Sequence, residues 1–323
     1  MAIWTGAFLR YVSLGEGTRV RLCVRTLRLE GASTAPAARR GVRTRRGRRM
    51  GREASLRGGN AREVESGSHA YWRFYPSITA RHRPSSEELA MNAVIRASAR
   101  RRGIARLCHF TPSRNLVHIA TDPTGLLAST QLEEDEKAIL NATDLARLDG
   151  FPDHVCCSIQ YPNAWYFRKA RQDAHIFADW VVLLLNPHHL WAAGTKFCPR
   201  NAAASSGTGV AEGAQAFDSM FGASVVGAYG KTYTRSPSHP AWLPTDEQAE
   251  VLIPDRVSRE DLIGVAVLDQ AQARREHARL TQLLVEVPPI VVAPDFFEPY
   301  WLSSKLRVGI VPAETPFQPG ATR

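Results

Sequence analysis

Gln248 and Glu250 stand two residues apart in "PTDEQAEVLI" (244–253), an amide and a carboxylate in a run that turns apolar. Residues i and i+2 of a strand point the same way. Read as a strand, the stretch aims both polar groups to one face and leaves Ala249, Val251 and Ile253 to the other. Either a solvated edge or a bound ligand receives them. In "HFTPSRNL" (109–116), His109 and Thr111 share one face of a second candidate strand. "CSIQYPNAWYF" (157–167) crowds Ser158, Tyr161, Trp165 and Tyr166 around a proline turn. Such a cluster suits core packing or a stacking surface for a planar ligand. Arg147 in "RLDG" (147–150) and Arg200 with Asn201 in "FCPRNAA" (197–203) suit helix ends.

Several chemistries lack their signatures. There is no Gly-rich phosphate loop, GxSxG elbow or HExxH helix. His188 and His189 are adjacent rather than i, i+4, a spacing that does not readily offer two nitrogens to one ion, so no metal site is expected. The five cysteines lack CxxC spacing and are expected to be reduced thiols filling core volume.

The elements that position these residues alternate irregularly. The patterns predict a basic helix over 91–102 ending at Gly103, a strand at 107–111 and a short helix after it. A turn at Asp122-Pro123 and a restart at Gly125 follow. Apolar runs at 154–161 and 179–187 predict strands flanking a helical stretch, and 194–230 reads as loop with a short helix. Three prolines make 235–245 an extended loop. Strands over "QAEVLIP" and "LIGVAVLD" and a helix over "QAQARREHARLTQLL" complete the reading. Strands with short helices and no regular βαβ alternation imply an α+β domain.

Charge divides the chain. Its formal net charge is +10, but residues 1–85 hold 18 Arg against 5 Glu and no Lys, a net +13, leaving −3 for 86–323. The stretch 33–63 has almost no apolar periodicity and cannot offset its own ordering entropy. Residues 1–90 are therefore expected to form a disordered Arg-rich segment, either a nucleic-acid-binding arm or sequence upstream of the true start, with one domain over 91–323. No run of about 18 apolar residues could span a membrane, and the expected location is the cytoplasm.

In combination, "HFTPSRNL", "RLDG", "CSIQYPNAWYF", "DWVVLLLNPHHLW" (179–191), "FCPRNAA" and "PTDEQAEVLI" occur in the order found in the DarT family. These are DNA-modifying ADP-ribosyltransferase toxins of bacterial toxin–antitoxin systems, and the resemblance covers about residues 100–270. "SIQYPNAWYF" resembles a branch other than the thymidine-modifying one, so the acceptor base stays open.

The resemblance implies an ADP-ribosyltransferase-like split β-sheet core with short peripheral helices, and NAD as ADP-ribose donor. Glu250 would be the catalytic carboxylate, stabilising oxocarbenium character at the ribose and helping remove the acceptor proton. Arg147 would be the catalytic arginine, gripping the pyrophosphate or steering the acceptor base. His109, Phe110 and Thr111 would line the NAD site, and Gly125 would let backbone approach it. Gln248 would address the acceptor, and Ser158 is expected beside it. Tyr161, Trp165 and Tyr166, which match no family motif, are expected from their aromatic rings to stack on nicotinamide or on the acceptor base. The implied partners are single-stranded DNA, because a base within a duplex is inaccessible, and an ADP-ribosyl glycohydrolase antitoxin. Two rival readings are a non-catalytic nucleic-acid-binding protein and an ADP-ribosyltransferase acting on RNA or protein.

Overall fold

A computed structural model describes residues 8–13, 19–24, 85–132, 148–173, 179–204, 206–227, 230–283 and 286–320. The chain divides into two units, Met1–His82 and Arg83–Arg323. Strands β1 (Phe8–Ser13) and β2 (Arg19–Val24) of the first unit pair antiparallel as a hairpin. The expected disorder of 1–90 otherwise falls mostly outside the described residues.

The second unit opens with helix α1 (Ser86–Arg102), which starts five residues before the expected Met91. Its start is a capping box: Ser85 Oγ accepts from Glu88 N (3.2 Å), and Glu88 Oε2 accepts from Ser85 N (2.8 Å). Gly103 ends it in the left-handed conformation. A chain beginning at Met91 would lose this cap, worth about 1 kcal/mol. It is expected to melt about 2–4 °C below one beginning at Arg83, as thermal unfolding of the two purified chains would show.

Strand β3 (Leu107–Pro112), α2 (Ser113–Thr121), β4 (Leu126–Leu127), β5 (His154–Ile159), α3 (Ala164–Asp173) and β6 (Trp180–Leu185) follow. Then come β7 (Lys196–Cys198), β8 (Ala211–Glu212), α4 (Gly213–Ser219), β9 (Ser224–Val226) and β10 (Thr232–Thr234). The stretch expected as loop with a short helix thus also holds short strands. The unit closes with β11 (Glu250–Pro254), β12 (Arg256–Val257), β13 (Leu262–Val267), α5 (Gln270–Gln282), β14 (Ile290–Val292), α6 (Pro299–Arg307) and β15 (Thr315–Pro316).

Nine strands form one sheet in the order β15-β14-β13-β6-β3-β5-β11-β7-β8. All neighbours are antiparallel except β13 and β14, whose connection contains α5. Period-two alternation builds a core on each face. Val181, Leu183 and Leu185 of β6 join Leu107, Ile159, Val251 and Val265 under α1, α2, α4 and α5. Val182 and Leu184 join Cys108, Phe167 and Ala266 under α3 and α6 on the opposite face. A third, small cluster of Cys198, Ala202 and Leu252 lies farther along that second face. The fold is α+β, as expected.

The sheet also splits. β3 pairs β6 along its whole length, but pairs β5 only at Leu107↔Ile159 and Cys108↔Ser158. Beyond Cys108 the strands part, while residues 154–157 of β5 stay paired with β11 on the opposite edge. This leaves a wedge between two strand edges.

Candidate active site

Glu250 opens β11, opposite Cys198 of β7, and Val251 pairs Cys157 on the other side. One step along that register, Glu250 faces Ser158, which pairs Cys108 where the wedge begins. The carboxylate therefore lies on the second sheet face, between the apolar cluster under α3 and α6 and the cluster around Leu252. It is 9% exposed and accepts a hydrogen bond from Asn201 Nδ2 at 3.2 Å. Asn201 follows β7 directly, so the β7–β11 pairing carries it to the carboxylate. Its position next to "FCPR" suggested only a helix cap, because that pairing is not local.

Gln248 departs from the strand reading. It lies in a turn, and β11 begins only at Glu250. Asp246 makes the turn: its Oδ1 accepts from Gln248 N at 2.9 Å and its carbonyl from Ala249 N at 3.0 Å. An Asp side chain that bonds the backbone two residues on favours a turn over a ladder. Gln248 is half-buried and lies in this turn, outside the strand that carries Glu250.

Asp246, which the spacing did not single out, shapes the segment that leads into Glu250. It is 1% exposed, and among the described residues its Oδ2 has no hydrogen-bond partner. Burial pushes its carboxyl up to about 6, against the Gln248 hydrogen bond, which favours the charged form, with neighbouring Glu247 adding to the rise. The unfolded chain releases this proton near 4, before the folded chain does. Stability from this group is thus present below about 4 and is lost as pH rises to about 6. Asp246→Asn is expected to raise the melting temperature at pH 7.5 and to change it little at pH 4. Melting curves at the two pH values would check this.

The other expected site residues divide. His109, the first residue of β3 beyond the last β5 pair, bridges the wedge through its Nδ1, 2.8 Å from the carbonyl of Cys156. Thr111 Oγ1 accepts from Asn115 Nδ2 at 2.9 Å. Phe110 stacks on Phe167 with centroids 4.7 Å apart and meets Tyr166 edge-on at 5.9 Å, so both rings help close the core under α3. Ser158 Oγ accepts from Asn163 N at 3.2 Å and lies 3.4 Å from the Cys108 carbonyl, stapling the turn after β5. Tyr161 is buried between Trp242 and Phe296 with Arg106 over its ring, and burial pushes its hydroxyl up to about 12. It is a core residue rather than a stacking face. Gly125 has φ +71°, and a Cβ there would lie 2.3 Å from the Val257 carbonyl oxygen. Its freedom serves the β4–β12 pairing. Arg147 lies outside the described residues.

Among the described residues, the buried polar atoms without a hydrogen-bond partner include Asn115 Oδ1, Asn163 Nδ2 and Asp246 Oδ2. Buried polar groups are nearly always paired, so each of these atoms suits a bond from a polar ligand or an ordered water. A narrow crevice, no larger than a water molecule, runs between Ser158, Tyr161, Leu243, Glu247 and Leu302 of α6. Cys108, Cys157 and Cys198 are buried free thiols whose burial raises them above the ordinary thiol range, as core sulfurs require. Cys156 is half-buried, and its thiol donates to Asp149 Oδ2 at 3.4 Å. Among the described residues no helix is long and apolar enough to cross a membrane.

The family model "ssDNA thymidine ADP-ribosyltransferase, DarT" matches residues 108–298, more than half of the chain. The chain belongs to the DarT family, a family of NAD-dependent DNA ADP-ribosyltransferases. Similar solved structures include Thermus sp. 2.9 DarT in complex with NAD+, at 15% identity and TM-score 0.40, covering 60% of this chain and 97% of that one. The same protein in complex with ADP-ribosylated ssDNA gives 14% identity and TM-score 0.41 over the same shares. Thermosipho africanus DarTG in complex with ADP-ribose gives 12% and 0.41, covering 60% of this chain and 51% of that one. At these values the family assignment rests on the sequence match. A comparison with curated protein sequences finds no match.

Proposed function

We propose that this chain transfers ADP-ribose from NAD to a nucleobase of single-stranded DNA, as the toxin of a toxin–antitoxin pair. The observation that carries the reading is the buried Glu250 carboxylate, steadied by Asn201, on the strand next to the one from which β3 parts. NAD supplies an ADP-ribosyl group whose bond to nicotinamide breaks with positive charge developing at the ribose. Glu250 would supply the negative charge that opposes that development, and fixed charge in a dry site acts strongly because it need not reorganise. The same carboxylate can take a proton from the acceptor. His109 and the strand edges beyond Cys108 would hold the donor, with Arg147 on its pyrophosphate or on the acceptor base. Gln248, presented by the Asp246 turn, would read the acceptor.

The surface beside this turn suits unpaired bases. Tyr300 and Trp301 at the start of α6 are 60% and 64% exposed. Trp165 meets Tyr300 edge-on at 4.9 Å, and the Arg168 guanidinium lies 5.2 Å from the Tyr300 ring. Glu247 ties α6 to the turn by accepting from Ser303 Oγ (2.8 Å) and Arg307 Nε (2.7 Å). Base stacking on an aromatic is worth ~1–3 kcal/mol. Trp301→Ala is therefore expected to weaken binding of a long single strand about tenfold and to spare a trinucleotide, as fluorescence anisotropy would read.

The test of the function is incubation with labelled NAD and separate single-stranded DNA, RNA and protein acceptors. Label should enter DNA alone, and an ADP-ribosyl glycohydrolase should remove it. Label in RNA or protein, or in nothing, would overturn the reading. Oligonucleotides differing at one base would identify the acceptor. Loss of toxicity on co-expression of such a glycohydrolase would establish the antitoxin class.

A further inference from the structure

Successive residues of an α-helix diverge around its axis, which is why the spacing of His188 and His189 argues against a shared ion. The two lie instead in a 3-10 turn, Pro187–Trp191, directly after β6, and their rings stack at 4.2 Å and 28°. Both face one carboxylate. His189 Nε2 is 3.0 Å from Asp261 Oδ2, and His188 Nδ1 is 3.4 Å from Asp261 Oδ1. One ring uses the nitrogen nearest its backbone and the other a nitrogen at the far side, and this offset lets adjacent residues converge. One ligand atom from each of the three residues lies within 4.8 Å of the others.

Of these spacings, 3.4 Å matches what a tetrahedral dication sets, and 3.0 Å needs to lengthen by a few tenths of an ångström to match it. Tetrahedral bonds of ~2.0–2.2 Å set neighbouring ligand atoms roughly 3.3–3.6 Å apart. The ligand-bearing segments are held before any ion arrives. Asn186 Oδ1 accepts from His188 N at 3.1 Å, and Asn186 N donates to the Asp261 carbonyl at 2.9 Å. Leu185 pairs Leu262 between β6 and β13, and Thr195 Oγ1 donates to the His189 carbonyl at 2.8 Å. His189 is buried, whereas the His188 side chain is 42% exposed and leaves an open side for water as a fourth ligand. The turn follows the Leu107–Leu185 end of the strands, away from the wedge beyond Cys108.

We propose that His188, His189 and Asp261 bind a zinc-class transition-metal dication that clamps the turn after β6 to the start of β13. Two imidazoles and one carboxylate favour such ions over magnesium or calcium, which prefer all-oxygen sites. An ion bound only by the folded chain stabilises it in proportion to the logarithm of its concentration.

The experiment uses the full chain without an affinity tag, stripped with chelator and then titrated with zinc sulfate. Calorimetry should show a zinc site, and the melting temperature should rise with zinc and not with equal magnesium. His188→Ala removes a half-exposed ligand, and Asp261→Asn keeps the side-chain shape. Each is expected to raise the zinc Kd about tenfold or more and to abolish the thermal shift. His189 is left intact because its burial makes a variant liable to misfold. A wild-type chain that gains no thermal stability from zinc would overturn the proposal. So would zinc affinity and stoichiometry unchanged in both variants, which would place the ion on cysteines or on other histidines.

Discussion

Glu250→Gln is expected to lower the rate of ADP-ribose transfer by ~10²–10³ while the chain keeps its fold and its NAD affinity. The amide has the volume of the carboxylate and can still accept from Asn201 Nδ2, so the pairing of β11 with β5 and β7 is undisturbed. What is lost is the charge that opposes positive charge at the ribose and the base that receives the acceptor proton. Single-turnover transfer onto single-stranded DNA and calorimetric titration with a non-hydrolysable NAD analogue separate the two effects. Wild-type transfer by the folded variant would return Glu250 to a structural role at the start of β11.

Gly125→Ala is expected to destabilise the chain by about 3 kcal/mol or more, the largest stability effect expected here. A left-handed backbone costs an L-residue ~1–2 kcal/mol. Here the added carbon would also lie 2.3 Å from Val257 O, 2.5 Å from Arg259 N and 2.7 Å from Ser258 C, all backbone atoms that cannot turn aside. Overpacking of this kind adds ~1–3 kcal/mol. Gly150→Ala is the control: its φ is also positive, at +79°, but nothing lies within 4 Å of the added carbon, so only the backbone cost applies. Denaturant unfolding of the two variants would show the difference. Equal losses would mean that the β4–β12 contact yields, and that close packing there does not explain the glycine.

Local pattern was enough for the elements that are buried on both faces or capped by their own side chains. "WVVLLL" is a continuous apolar run because β6 has a core on each face, and all six residues are buried. Helix α5 is legible because Asp269 accepts from Gln272 N at its start and Gln272, Ala273, Glu276 and Leu280 recur on one side. The order of "HFTPSRNL", "RLDG", "FCPRNAA" and "PTDEQAEVLI" was likewise legible without coordinates, and it led to the family that the family model also matches.

Tertiary structure decided what depends on partners distant in the chain. Alternation placed Gln248 on a strand with Glu250, but the Asp246 side chain bonds the backbone of Gln248 and delays the strand by two residues. Tyr161 looked available for stacking until Trp242 and Phe296, from later segments, closed over it. Asn201 reaches Glu250 only because β7 pairs β11, 49 residues apart at that contact. The adjacent histidines converge only because β13 brings Asp261 beside the turn after β6. A sequence records side-chain chemistry and short-range periodicity. The register between strands, which sets the groups that face one another across a site, is fixed by nonlocal burial and pairing.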